Sequence, residues 1–219
     1  MPRRIAQIVE SVQIIEKENI RAKRPTIVVG FPSVGMVGSI AAEFLSRKVL
    51  KMREVGYIKS TGFLPVILVE KGIPRRPIRI LEKDNLIVIS SELVIPINIV
   101  PFVAEAIVDW AEDVKASRII SMGAYTYRAG DKLKIPEVYG VGSTEEDIME
   151  LRKVGIDVFK LGAIAELPGL ILVECSERKL NSVGLFAKAE HALPDPGAAA
   201  EVLKALGKLL DVKINVSPL

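Results

Sequence analysis

The sequence predicts an α/β protein in which helices cover both faces of a mixed, mainly parallel sheet. Three observations lead there. Short β-branched runs alternate with stretches of helical periodicity, the order that buries a sheet between two helical layers. Strand-like runs between residues 55 and 91 follow one another too closely for helical crossovers, so that section pairs antiparallel. Apolar residues make up 49% of the 219, and the mean hydropathy is +0.33. That surplus supplies a large core and also apolar surface for other subunits to cover.

Along the chain, Val12, Ile14 and Ile15 fit either a helical stripe begun at Ile5 or an alternating strand, and the first twenty residues stay open. Thr26-Ile27-Val28-Val29 is a β-branched run of the buried-strand type. It ends at Gly30-Phe31-Pro32-Ser33, and Val37, Ala41, Phe44 and Leu45 then form one face of a helix. Val55 to Ser60, Pro65 to Glu70, Pro77 to Leu81 and Leu86 to Ser91 are the hairpin-linked strands. Asn98 is a candidate cap, with Pro101 in the first turn of a helix whose apolar face is Val103, Ala106, Ile107, Trp110 and Val114. Arg118 to Met122 is a strand ending at Gly123, and Tyr125 to Gly142 is a long, glycine-dotted loop of undefined role. Ser143-Thr144-Glu145-Glu146 matches a capping box, and Gly155 is a stop signal for the helix it opens. Ile156 to Leu161 is a further short strand. Leu167 to Glu174 has no decisive period, and Pro168 at its start favours helix. Ser182 to Ala187 is a strand. Asp195-Pro196 caps a final helix with Ala199, Val202, Leu203, Leu206 and Leu210 on one face. With no repeat, low-complexity tract or linker, residues 1–219 are expected to form one domain.

The totals exclude several classes. The longest uncharged run, Pro25 to Ala42, is broken by two prolines and three glycines and does not suit a membrane span. One cysteine, Cys175, permits no internal disulfide, and with no signal-type leader the expected compartment is the cytoplasm. Thirty basic against 27 acidic residues, net +3, argues against a nucleic-acid binder. The densest basic group, Arg75, Arg76 and Arg79, has no interleaved aromatics and suits a solvated hairpin. Five Asn and two Gln beside abundant Lys, Arg and Glu point to a thermophilic source.

Chemistry-bearing residues are sparse. Gly30, Gly35 and Gly38 lie between a strand and a helix, where backbone N–H groups could hold an anion. A mononucleotide loop needs Lys and Ser/Thr where Met36 and Val37 stand, and a dinucleotide turn needs glycine at Ser33. The three glycines therefore fit a tight turn and close helix–sheet packing better than a ligand site. His191 has no neighbouring Cys or second His, so neither a metal nor another cofactor is expected. Cys175 suits a buried thiol, while Asp109, Glu112 and Asp113 suit a solvated helix face. Glu145, Glu146 and Asp147 complement a helix N-terminus. No Gly-x-Ser-x-Gly nucleophile is present. The residues point away from an enzyme.

Two stretches carry a family resemblance. Gly30-Phe31-Pro32-Ser33-Val34-Gly35-Met36-Val37-Gly38, followed by Ala41-Ala42-Glu43-Phe44-Leu45, resembles the opening signature of the proteasome assembly chaperone family. Leu185 to Ala189, Leu193-Pro194-Asp195-Pro196 and Ala198-Ala199-Ala200 resemble its other recurrent stretch. The likeness runs from about residue 25 onward. It implies a three-layer α/β/α sandwich of nucleoside-phosphorylase-like topology without that enzyme's active-site residues. It further implies an archaeal homo-oligomer, a cyclic tetramer or pentamer, that works through protein contacts, with the proteasome α subunits among the candidate partners. Proteasome-engaging members end in a hydrophobic residue, Tyr and any residue, whereas Ser217-Pro218-Leu219 places proline at the Tyr position. Direct docking through that motif is therefore not expected. The competing reading is a nucleotide or nucleoside binder, or an enzyme, built on the Gly30–Gly38 turn and the Tyr125–Gly142 loop.

Overall fold

The computed structural model describes residues 12–126, 137–189 and 193–219. Its main sheet comprises β1 (Val12–Glu16), β2 (Thr26–Gly30), β3 (Arg53–Ser60), β6 (Ile78–Lys83), β7 (Leu86–Ser91), β8 (Arg118–Tyr125), β9 (Val138–Gly142), β10 (Asp157–Val158) and β11 (Ser182–Lys188). The strands lie in the order β1-β3-β6-β7-β2-β8-β11-β9-β10. The middle four, β7-β2-β8-β11, are mutually parallel. They are also the runs buried on both faces, which is why they lack a polar alternation. β1, β3 and β6 extend the sheet antiparallel on one side, and β9 returns antiparallel to β11 on the other. β4 (Leu68–Glu70) and β5 (Ile73–Arg75) pair only with each other, as a hairpin outside the main sheet.

Helices cover both faces. On one lie α1 (Val37–Glu43), α3 (Glu145–Lys153) and α5 (Pro196–Leu210). Their core joins Val28, Ile120 and Leu185 of the sheet to Val37, Leu151, Leu203 and Leu206. On the other lie α2 (Val100–Asp113) and α4 (Glu166–Arg178), whose core joins Ile27, Val29 and Ile119 to Val103, Ile107, Ile171 and Cys175. Alternate residues of β2 therefore feed opposite cores, as the pleat requires. α1 continues past Glu43 as a π-helical segment, Phe44–Val49, in which the Ser46 hydroxyl donates to the Ala42 carbonyl. The mixed α/β sandwich expected from the sequence is thus present.

Several local expectations need correction. Residues 12–16, left open between helix and strand by the sequence, form a strand: Trp110 Nε1–H donates to Glu16 Oε1 at 2.8 Å, which ties that edge to α2. Only Leu68–Glu70 of the Pro65–Glu70 run is strand. Asn98 is not the α2 cap. Ile99 holds that place, with Pro101 in the first turn. The Tyr125–Gly142 stretch is not all loop, because β8 reaches Tyr125 and β9 begins at Val138; residues 127–136 lie outside the described residues. The capping box falls one residue later than Ser143–Glu146, with Thr144 and Asp147 bonding each other's backbone N–H. Of Ile156 to Leu161, only Asp157–Val158 is strand. His191 also lies outside the described residues. The Asp195 cap, donated to by Ala198 N–H at 2.8 Å, and the helical reading of Leu167 to Glu174 both hold.

The short antiparallel edge is held by a buried carboxylate. Glu82 Oε1 accepts from the Arg21 and Ala22 N–H groups at 2.6 and 2.7 Å, and Oε2 pairs with Arg53. Burial pushes the Glu82 carboxyl up, but the two N–H donors and the Arg53 guanidinium outweigh it and leave it below the ordinary value of 4.5. A lowered folded-state pKa contributes stability that is complete above the unfolded value and is lost as pH falls through the folded one. Glu82→Gln should therefore lose stability at pH 7 and show a flatter loss below about pH 4.5 than the parent, read by urea midpoints across pH.

Candidate functional site

The glycine turn brings helix and sheet into backbone contact. A Cβ on Gly30 would stand 2.2 Å from the Gly38 carbonyl oxygen and 2.5 Å from Ala42 Cβ. One on Gly38 would stand 2.4 Å from the Met122 oxygen and 2.7 Å from that of Phe31. Gly35 has φ +60°, and its carbonyl accepts from Asp195 N–H at 2.8 Å, linking the turn to the start of α5. Met36 N–H bonds Ser33 O and Val37 N–H bonds Val34 O, so two donors an anion would need are already engaged. The three glycines are thus brought together by close packing.

Beside the turn a crevice of about 320 Å³ opens at the carboxyl ends of β2 and β8. From β2 the chain moves toward β3 at one edge, and from β8 toward β9 at the other, the switch point where open α/β sheets place ligands. Ser33, Tyr125, Phe159, Glu166, Pro168 and Phe186 border it. The wall is mainly aromatic and aliphatic. Burial, followed by Tyr139 and Glu137, raises the Tyr125 phenol above its ordinary value, so it stays a neutral hydroxyl. Among the described residues no cluster of three or more His, Cys, Asp or Glu could hold a metal ion.

Several of the charged residues singled out in the sequence sit in ion pairs. Arg79 is buried at 3% exposure, and its guanidinium meets Glu43 at 2.9 Å and Glu92 at 2.8 Å. Arg75 pairs with Glu70 and Glu54, and Arg76 lies 5.0 Å from the centre of the Tyr57 ring. The solvated-hairpin expectation holds for Arg75 and Arg76, which are exposed, and fails for Arg79, which is buried on β6 against Glu43 and Glu92. Asp109 and Glu112 are likewise not simply solvated; with Glu174 they grip Arg178 and lock α2 to α4. Asp147 is buried and accepts from the Ser143 hydroxyl and from the Thr144 and Ser182 N–H groups, joining α3 to β11.

Sequence reasoning missed the hairpin surface. β4 and β5 turn back through Lys71 and Gly72, both at positive φ, the geometry of a type I′ turn. Glu70 reaches Arg47 on the π-helical segment, and Arg75 reaches Glu54 on β3. Leu64, Val66, Ile67, Val69 and Ile73 are exposed, Ile73 on the same face as Glu70 and Arg75. Val94, Ile97 and Phe102 are exposed as well. The signal available in sequence was the density of aliphatics from Leu64 to Ile73.

A mixed, mainly parallel sheet with helices on both faces defines an α/β sandwich. The PAC2 family model matches residues 27–219, and the chain belongs to that family. It is similar to Pyrococcus furiosus PbaA, an archaeal homolog of proteasome-assembly chaperone: 33% identity, TM-score 0.84, covering 94% of this chain and 89% of that one. Pyrococcus furiosus PbaB, an archaeal proteasome activator, shares the fold at TM-score 0.81 and 22% identity, covering 95% and 92%. An uncharacterized protein of Methanocaldococcus jannaschii is 29% identical over 212 residues, 97% of this chain and 86% of its own length. The family resemblance carried by Gly30–Leu45 and Leu185–Ala200 is borne out.

Two measurements follow from the geometry. Gly38→Ala should destabilise by at least about 2 kcal/mol, because the carbonyls it would strike belong to backbone that cannot rotate away; urea unfolding reads it. Burial pushes the Cys175 thiol up to about 11. With roughly a thousandth of it thiolate at pH 8, labelling by a chromogenic disulfide should track unfolding and be negligible in native buffer.

Proposed function

We propose that this protein is a homo-oligomeric, protein-binding scaffold of the proteasome-assembly-chaperone type, acting without catalysis or cofactor. The observation that carries the reading is the likeness to PbaA over 94% of the chain. The exposed aliphatic side chains around the β4–β5 hairpin, Leu64, Val66, Ile67, Val69 and Ile73, support it from this chain's own residues. Its partners are further copies, as a cyclic tetramer or pentamer, and a second protein, for which proteasome α subunits are the first candidate. Ile214, Val216 and Leu219 pack against the subunit's own core, so that stretch is engaged within its own chain. Gly30, Gly35 and Gly38 serve helix seating. No helix among the described residues is long and apolar enough to cross a membrane, which fits a cytoplasmic setting.

Light scattering on the eluting peak at micromolar concentration should give a mass of four or five chains. A monomer at that concentration overturns the reading. A thermal-shift panel of nucleotides and nucleosides should leave the midpoint unmoved, since a true ligand at a hundredfold its Kd adds about 2.7 kcal/mol. A reproducible shift transfers the function to the crevice beside Ser33.

A further inference from the structure

We propose that the crevice between the π-helical segment and the β4–β5 hairpin receives the carboxylate of an acidic side chain from a partner protein. The proposal rests on the protein-binding reading and names the chemistry that such a partner brings.

The crevice has a volume of about 340 Å³. Arg79 of β6 and Glu54 of β3 line it from the sheet, Arg47 and Lys51 from the helical side, and Glu70 and Arg75 from the hairpin. Glu70 shows what fits there. Its carboxylate meets Arg47 and, at 3.2 Å, Arg75. A guanidinium presents its N–H groups as a planar fork, and a carboxylate is the planar acceptor that matches it.

Two cationic groups of the crevice are left over. Arg79 is buried, and its Nη2 donates to Glu43 and Glu92, but its Nε–H is buried without a partner. A buried charged donor of that kind is costly unless an acceptor reaches it. Lys51 meets no carboxylate among the described residues. The neighbouring Leu50 carbonyl accepts from Lys83 Nζ at 2.8 Å, so Lys51 is not needed there. The remaining charges match: four cations, Lys17, Arg47, Arg75 and Arg79, are linked to four carboxylates, Glu43, Glu54, Glu70 and Glu92. One further negative charge completes the set, as a carboxylate supplies and a phosphate dianion exceeds. β4 pairs with no strand but β5 among the described residues. Its outer edge therefore offers backbone groups that an extended polypeptide can bond and a free small acid cannot.

The test follows the arginine Nε–H resonances of the full chain by nitrogen-15 NMR while a short peptide, capped at both ends and carrying one central glutamate, is added. The Arg79 resonance should move with saturation, and the same peptide with glutamine in place of glutamate should leave it still. Lys51 has φ +49°, a conformation asparagine tolerates, so Lys51→Asn removes the charge without straining the turn. That variant should raise the titration midpoint about tenfold, whereas Lys48→Gln, at an exposed position outside the crevice, should not change it. No movement of the resonance, or an unchanged midpoint in Lys51→Asn, overturns the proposal. Inorganic phosphate acting at a lower concentration than the peptide makes this a tetrahedral-oxyanion site, and propionate matching the peptide makes it a site for free acids; either result overturns the assignment to a protein's side chain. A parent that proves monomeric yet binds the peptide sinks only the oligomeric reading. An oligomer whose Arg79 resonance stays still sinks only this inference.

Discussion

The rest of the structure depends on how closely α1 lies on the sheet. At Gly30 and Gly38 nothing separates helix from strand except backbone, and either glycine's missing Cβ would fall inside 2.5 Å of a carbonyl oxygen. That approach lets Val37, Ala41 and Ala42 fill one core completely while Ile27 and Val29, on the same strand, fill the other. It also places Gly35 where its carbonyl receives Asp195 N–H, so the start of α5 is positioned from the start of α1. Two helices distant in sequence are thereby tied through one turn.

The parallel centre of the sheet was legible in the sequence because burial on both faces leaves an unmistakable aliphatic run, as in Thr26 to Val29. Helices with chemical end signals, such as Asp195-Pro196, were legible too. β9 was not. Its Val-Tyr-Gly-Val-Gly composition looks like loop because Gly140 and Gly142 lack side chains. The structure shows why they must: a Cβ on Gly140 would meet Leu151 Cδ2 at 2.4 Å, and one on Gly142 the Asp147 Cβ at 2.7 Å. Those glycines admit α3 onto the strand. Strand propensity cannot register a vacancy that a helix elsewhere fills.

The arginines of residues 75–79 show a second limit. In sequence Arg75, Arg76 and Arg79 form one basic cluster. In the fold Arg79 is buried between two carboxylates, Arg75 bridges the hairpin to β3, and Arg76 rests on an aromatic ring. Their partners come from residues 43, 54, 57, 70 and 92, and no local window contains that information. The glycine motif was legible because its spacing is written in consecutive residues; the arginine pairings were obscured because their partners are not.

The wider winding from Phe44 to Val49 has a consequence for the β4–β5 hairpin. A π-helical segment turns less per residue than an α-helix, so everything after it is rotated out of the phase that α1 would otherwise impose. Arg47 sits inside this segment and from there grasps both Glu43 and Glu70. The attitude of the β4–β5 hairpin is therefore dialled by the pitch of a helix that belongs to a different layer. Lineages that shorten this stretch by one residue would swing the guanidinium aside and re-aim the hairpin without altering any residue within it.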